Sequence, residues 1–211
     1  MRRSAALLPL CLLLALPAAA RAQGARLVPY AGLSVGGSSL PDVFQGCSPE
    51  TSVAADARLG VARGVIALEA RVSGLGDVAT EDCALVPVDP YAPLDGLHTS
   101  LDYPFRGGDS HRAADLRLRL GGTRAFPFAV SAGLGRLSPA GVPYRLAAAG
   151  VRLGGRVRLA ADVERSWYRV EWTEQVVEWR DRVPYRTVSR EDRSAWMDGT
   201  GVRVGVEFAF R

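Results

Sequence analysis

Near the C-terminus Val202, Val204, Val206, Phe208 and Phe210 alternate with Arg203, Gly205, Glu207 and Ala209. Successive side chains of a strand point to opposite faces, so this segment has one wholly apolar surface and one polar or small surface. The same period of two recurs upstream. It predicts strands at 27–36, 55–62, 65–73, 114–121, 128–136, 145–153, 157–167 and 201–210. In the fourth, Leu116, Leu118 and Leu120 oppose Asp115, Arg117 and Arg119; in the seventh, Val157, Leu159, Ala161 and Val163 oppose Arg158, Asp162 and Glu164. Helical spacing of apolar residues is absent from both. Eight is the smallest usual number of strands in a transmembrane barrel.

Short connections at 63–64, 122–127 and 154–156, all containing Gly, join strands two to three, four to five and six to seven. Between them lie the longer junctions 37–53, 74–112, 137–144 and 168–200. This alternation of length suits the short periplasmic turns and longer extracellular loops of an outer-membrane barrel. A two-residue turn at Arg63-Gly64 sets Arg58 against Glu69 and Val61 against Ile66, with both apolar faces in coincidence. A three-residue turn at Gly154 likewise sets Leu153 against Val157, and places Arg152 against Arg158, a like-charge pair.

Two barrels satisfy this pattern. A soluble, lipocalin-like periplasmic barrel holds the apolar residues inside around a ligand; a membrane barrel turns them outward. Gly60, Gly133, Gly135, Gly150 and Gly205 on the polar face suit a crowded lumen. Trp167 and Trp196 lie near one end of the strands, and Phe126, Phe128, Phe208 and Phe210 near the other, as membrane-interface girdles do. The expected fold is an all-β, eight-stranded antiparallel up-and-down transmembrane β-barrel. Its lumen would be lined by Asp56, Arg58, Glu69, Arg71, Asp115, Arg117, Arg119, Arg152, Arg158, Asp162, Glu164, Arg203 and Glu207. An eight-stranded barrel is just wide enough for side chains to fill, so these balanced charges are expected to pair and plug it.

The N-terminus sets the compartment. Arg2-Arg3, an apolar run from Ala5 to Leu16 and Ala20-Arg21-Ala22 make residues 1–22 a cleaved export signal, leaving 23–211 as the barrel domain. Loss of Arg2, Arg3 and Arg21 lowers the basic count from 26 to 23 against 22 acidic residues, so the high isoelectric point does not indicate nucleic-acid binding. Cys47 and Cys83 remain, in an oxidising setting that permits one disulfide between the first two long loops. With two histidines in the chain, no metal or cofactor site is expected.

The terminal strand, ending Phe208-Ala209-Phe210, resembles the segment that marks bacterial outer-membrane barrels for assembly, although Arg211 follows the final Phe. The mature chain as a whole resembles the small eight-stranded outer-membrane barrels, the group of the outer-membrane protein A transmembrane domain and outer-membrane protein X. The resemblance is architectural. It implies a bacterial outer-membrane location with both termini periplasmic, and contact with outer-membrane lipids, lipopolysaccharide and the barrel-assembly machinery. It also implies a structural, defensive or adhesive role without catalysis.

All four tryptophans lie between Trp167 and Trp196. Residues 168–200 keep a strand-like composition and are expected to extend as a hairpin above the membrane, where a protein partner could add a strand. Deleting 172–192 is expected to leave folding intact. Because some outer-membrane barrels of this size modify lipids, an enzyme is the alternative. Its nearest materials are His98 with Ser100 and Asp102, and Asp109-Ser110-His111, all in the second long connection.

Overall fold

Strands with one apolar and one charged face must bury one of them, and in this chain closure of the sheet decides which. The computed structural model describes residues 26–39, 51–75, 96–102, 111–138, 141–180 and 183–210. They form β1 (Val28–Ser39), β2 (Thr51–Arg63), β3 (Ile66–Leu75), β4 (Gly96–Asp102), β5 (His111–Gly121), β6 (Phe128–Ser138), β7 (Val142–Gly154), β8 (Val157–Arg180) and β9 (Val183–Ala209). All pairings are antiparallel. The order β4-β8-β7-β6-β5-β3-β2-β1-β9, with β9 also paired to β8, closes a ring of eight strands and leaves β4 outside it.

Directly opposed residues lead from Trp167 through Arg145, Leu134, Leu116, Ala70, Leu59, Ala31 and Phe208 to Val157, 10 residues back along β8. With eight strands this stagger tilts each strand by about 40° from the barrel axis. The stretch of β8 between Val157 and Trp167 then spans about 25 Å along the axis, the height of an outer-membrane apolar band.

The apolar face points outward. Leu33, Leu59, Leu68, Leu116, Leu134 and Val163 are each 54–71% exposed, whereas Asp56, Arg58, Glu69, Arg71, Asp115, Arg117, Arg119, Arg152, Arg203 and Glu207 are each 6% exposed or less. The soluble lipocalin-like arrangement needs the reverse and is not the one adopted. An apolar exterior enclosing a charged interior is stable only where the surrounding solvent is hydrocarbon.

Two hairpin registers differ from the sequence expectation by two residues. In β2–β3 the turn is Gly64-Val65, so Arg63 faces Ile66, Gly60 faces Glu69 and Arg58 faces Arg71. Gly64, with φ of 62°, takes the first central position, where a type II′ turn requires positive φ. In β7–β8, Gly154 faces Arg158, Leu153 faces Leu159 and Arg152 faces Ala160, so the expected Arg152 to Arg158 opposition does not form. A shift of two preserves each residue's face, and the inside-outside pattern is unaffected.

The expectation of eight strands omitted β4. This strand lies within the long connection expected over 74–112, and pairs with β8 from Gly96 opposite Trp179 to Asp102 opposite Thr173. It exists because β8 and β9, 24 and 27 residues long, continue past the wall of the barrel. Their ladder runs from Arg169 opposite Trp196 to Arg180 opposite Val183, with register shifts at Val176/Val177 and Glu178/Trp179. A three-stranded sheet, β4-β8-β9, thus stands on one end of the barrel.

Candidate functional site

The charged interior is built in three tiers, each joining strands far apart in sequence. Toward the short turns, Glu207 of β9 is fully buried and meets Arg119 at 2.8 Å, Arg158 at 3.2 Å and Arg152 at 3.4 Å. Arg119 also pairs with Glu69 at 2.8 Å, and its guanidinium lies 4.8 Å from the centroid of the Tyr30 ring. The Tyr30 hydroxyl donates to Glu69 at 2.7 Å. In the middle tier Asp162 accepts hydrogen bonds from Arg152 at 2.7 and 3.0 Å and from Arg58 at 3.2 Å. Arg58 donates to Ser34 Oγ at 3.0 Å and Ser34 donates to Asp56 at 3.2 Å, which ties this tier to the next.

Toward the protruding sheet, Asp56 meets Arg203 at 2.9 Å and Arg71 at 3.6 Å. Arg71 lies 2.8 Å from Asp115 and 3.1 Å from Glu164; Arg117 lies 2.5 Å from Asp115 and 2.7 Å from Glu164. The Tyr144 hydroxyl donates to Asp115 at 2.7 Å. Arg58 and Arg71, opposed across β2 and β3, are each drawn off by acids of other strands. The structure therefore brings all thirteen charged candidates into one continuous array. Arginine suits such an interior, since its planar fork serves two acceptors and is weakly hydrated.

Glycines make the room. Tyr30 stands opposite Gly60 and Tyr144 opposite Gly135. A Cβ would lie 2.4 Å from the Tyr30 ring at Gly60, and 2.5 Å from the Tyr144 ring at Gly135. Each ring lies across bare backbone and aims its hydroxyl at a carboxylate.

Above the charges sits an apolar cap that sequence reasoning missed. Leu75, Leu137, Val142, Tyr144, Leu146, Tyr168 and Val170 are buried together, with Trp172 and Met197 packed against them. The Tyr144 and Tyr168 rings are 5.2 Å apart. The available signal was the face on which Leu137, Val142 and Val170 fall, but these residues lay in or beside the stretches read as connections. At the other end the array stops short of the mouth, where a cavity of about 360 Å³ is lined by residues including Tyr30, Thr123, Arg119, Arg124 and Arg158.

Both rims carry outward aromatics. Trp167 and Trp196 flank the Arg145 guanidinium, at 5.8 and 4.5 Å from the ring centroids. At the turn end Phe208 and Phe210 are 47% and 55% exposed, and Phe126 meets Phe128 edge-on at 6.2 Å.

The described hydrolytic candidates fall on two strands. His98, Ser100 and Asp102 lie on β4, opposite Val177, Gln175 and Thr173. His111 begins β5 and is buried opposite Leu75, between β3 and β6 rather than beside β4. Asp109 and Ser110 lie outside the described residues, as do Cys47, Cys83 and the leader 1–22.

No protein-family model matches the sequence, and no curated protein matches it. Among solved structures, the chain is similar to the solid-state NMR structure of outer membrane protein AlkL in DMPC lipid bilayers, at 13% identity and a TM-score of 0.38. That alignment covers 90% of this chain and 92% of that one.

Proposed function

We propose that the protein is a non-catalytic barrel of the bacterial outer membrane, closed to solutes by its interior charges and acting at the cell surface through the β4-β8-β9 sheet. The turns and both termini face the periplasm in this reading, and the sheet faces outward. The array of seven arginines and six carboxylates beneath the apolar cap carries it. Such a filling leaves no continuous water path through a barrel of this width. Planar-bilayer recordings of the purified protein are expected to show no stable conductance, and a porin-like open state would overturn the closed lumen. Cell fractionation with heat-modifiable electrophoretic migration tests the membrane.

Adhesion-like docking is favoured by one edge of the sheet. β1 pairs with β9 only at residues 200–209, so among the described residues β9 has an open edge from 184 to 199. Pro184, Arg186, Arg190 and Arg193 along it oppose pairing with a second copy of the same edge. A partner of complementary charge can add a strand there. Lipid A from cells with and without the gene is expected to give identical mass spectra; a difference would restore the enzyme reading.

A further inference from the structure

The outward face at the outer rim is unevenly charged. Arg112 of β5, Arg136 of β6, Arg145 of β7 and Arg165 of β8 are all exposed and on the lipid-facing side. Arg136 faces Ala114, two residues from Arg112; Arg145 faces Leu134, two residues from Arg136; Arg165 faces Ala147, two residues from Arg145. Each is thus the diagonal neighbour of the next, with about 7–8 Å between Cα atoms. In a tilted barrel that diagonal is a line of nearly constant height, level with Trp167.

Acids account for only part of this charge. Arg165 pairs with Asp198, and Arg169, just above, lies 3.5 Å from Glu171. Among the described residues Arg112, Arg136 and Arg145 have no carboxylate partner. Arg145 is held by the faces of Trp167 and Trp196, which leaves the N–H edges of its guanidinium free to donate. Around the rest of the rim the corresponding outward positions are Ser39, Val53, Gly74 and Thr200, none of them charged. General interfacial anchoring would distribute cations around the circumference; among the described residues they occupy one side.

We infer that Arg112, Arg136 and Arg145 form a binding site for a lipid whose head group carries more than one phosphate, seated against β5, β6 and β7 with its chains on the apolar wall below. Guanidinium forks match phosphate oxygens two at a time. Three of them in a row, at the top of an apolar band, suit a multiply phosphorylated glycolipid of an outer leaflet better than one soluble anion. This inference rests on the orientation proposed above.

The test uses the full-length protein in phosphatidylcholine nanodiscs, with bisphosphorylated lipid A and its dephosphorylated form as probes and native mass spectrometry as the readout. Retention of the phosphorylated form is expected to exceed that of the other about tenfold. The triple variant R112Q/R136Q/R145Q falls to the dephosphorylated level, while R63Q/R156Q at the turn end retains the lipid as the parent does. Equal retention of the two lipids by the parent protein overturns the site whatever the variants do. So does full displacement by phosphatidylglycerol or by millimolar inorganic phosphate. Protease access to residues 184–199 on whole cells tests the orientation separately, because the nanodisc result does not depend on it.

Discussion

The barrel wall and the sheet standing on it use the same residue types in the same alternation, yet their charges do different things. Inside the wall, Arg58 reaches Asp162 across 104 residues of sequence and Arg203 reaches Asp56 across 147. In the sheet, Glu178 pairs with Arg180 two residues away and Arg186 eight away, and Glu191 pairs with Arg193. Buried pairs fasten distant strands, and removing one partner strands the other. Exposed pairs are screened by water and contribute little. Charge in this molecule is structural only where the closed ring shields it.

The sharpest way to break the contrast is to remove the central acid. Glu207→Gln leaves Arg119, Arg152 and Arg158 without their shared carboxylate. A loss of about 3–5 kcal/mol is expected in urea unfolding from lipid, while Glu191→Gln in the sheet should change the same curve by less than about 0.5 kcal/mol. On the outward face, Leu116→Arg places a cation near the middle of the apolar band and is expected to cost about 2–4 kcal/mol. Val188→Arg, also at an exposed apolar residue but on the sheet, should be nearly neutral in that assay. Equal effects at both sites would place the sheet in the membrane too.

Replacing residues 174–191 by Asn-Gly, with Thr173 and Asp192 flanking the new turn, should leave heat-modifiable migration unchanged. The wider cut at 172–192 removes Trp172 from the apolar cap, and is now expected to weaken the barrel. The smallest effect concerns pH. Hydrogen bonds from Arg180 and Arg186 hold the Glu178 carboxyl below its ordinary value of 4.5. Its support of the hairpin tip is therefore complete above that value and is lost as pH falls through the lowered one. Backbone chemical shifts of residues 176–180 and 183–186 should move toward random coil between pH 6 and 3, with those of β5 unchanged.

The alternation of residues 202–210 revealed the closing strand, and the spacing of Gly-containing turns revealed the ring. Both are local signals, dictated by the pleat. Hairpin register was less accessible, because it depends on whether Gly64 opens or ends its turn, and positive φ is allowed at either place; the pairing of Arg63 with Ile66 decides it. Membership of the interior followed from face alone. The particular ion pairs did not, since Arg71 meets Asp56, Asp115 and Glu164 only through the stagger of the whole cylinder. β4 was unreadable for a related reason: seven residues acquire a partner only because β8 runs on past the wall. The cap is hard to read in the sequence because Leu75, Leu137 and Val142 fall at or beyond the ends of the alternating segments.

The seam between β1 and β9 has a consequence for how the molecule is made. The first and last of the nine described strands are neighbours from Tyr30 opposite Ala209 to Ser39 opposite Thr200, so the ladder stays open until all the others have been made. Contacts this distant in sequence slow folding, since loop entropy must be lost before they form. Glu207 arrives with that final strand, and until it does Arg119, Arg152 and Arg158 lack the acid they share. Before closure Arg119 keeps Glu69 and Arg152 keeps Asp162, while Asp56 waits for Arg203, so the last strand delivers one cation and one acid together and completes the pairing without changing the balance of charge.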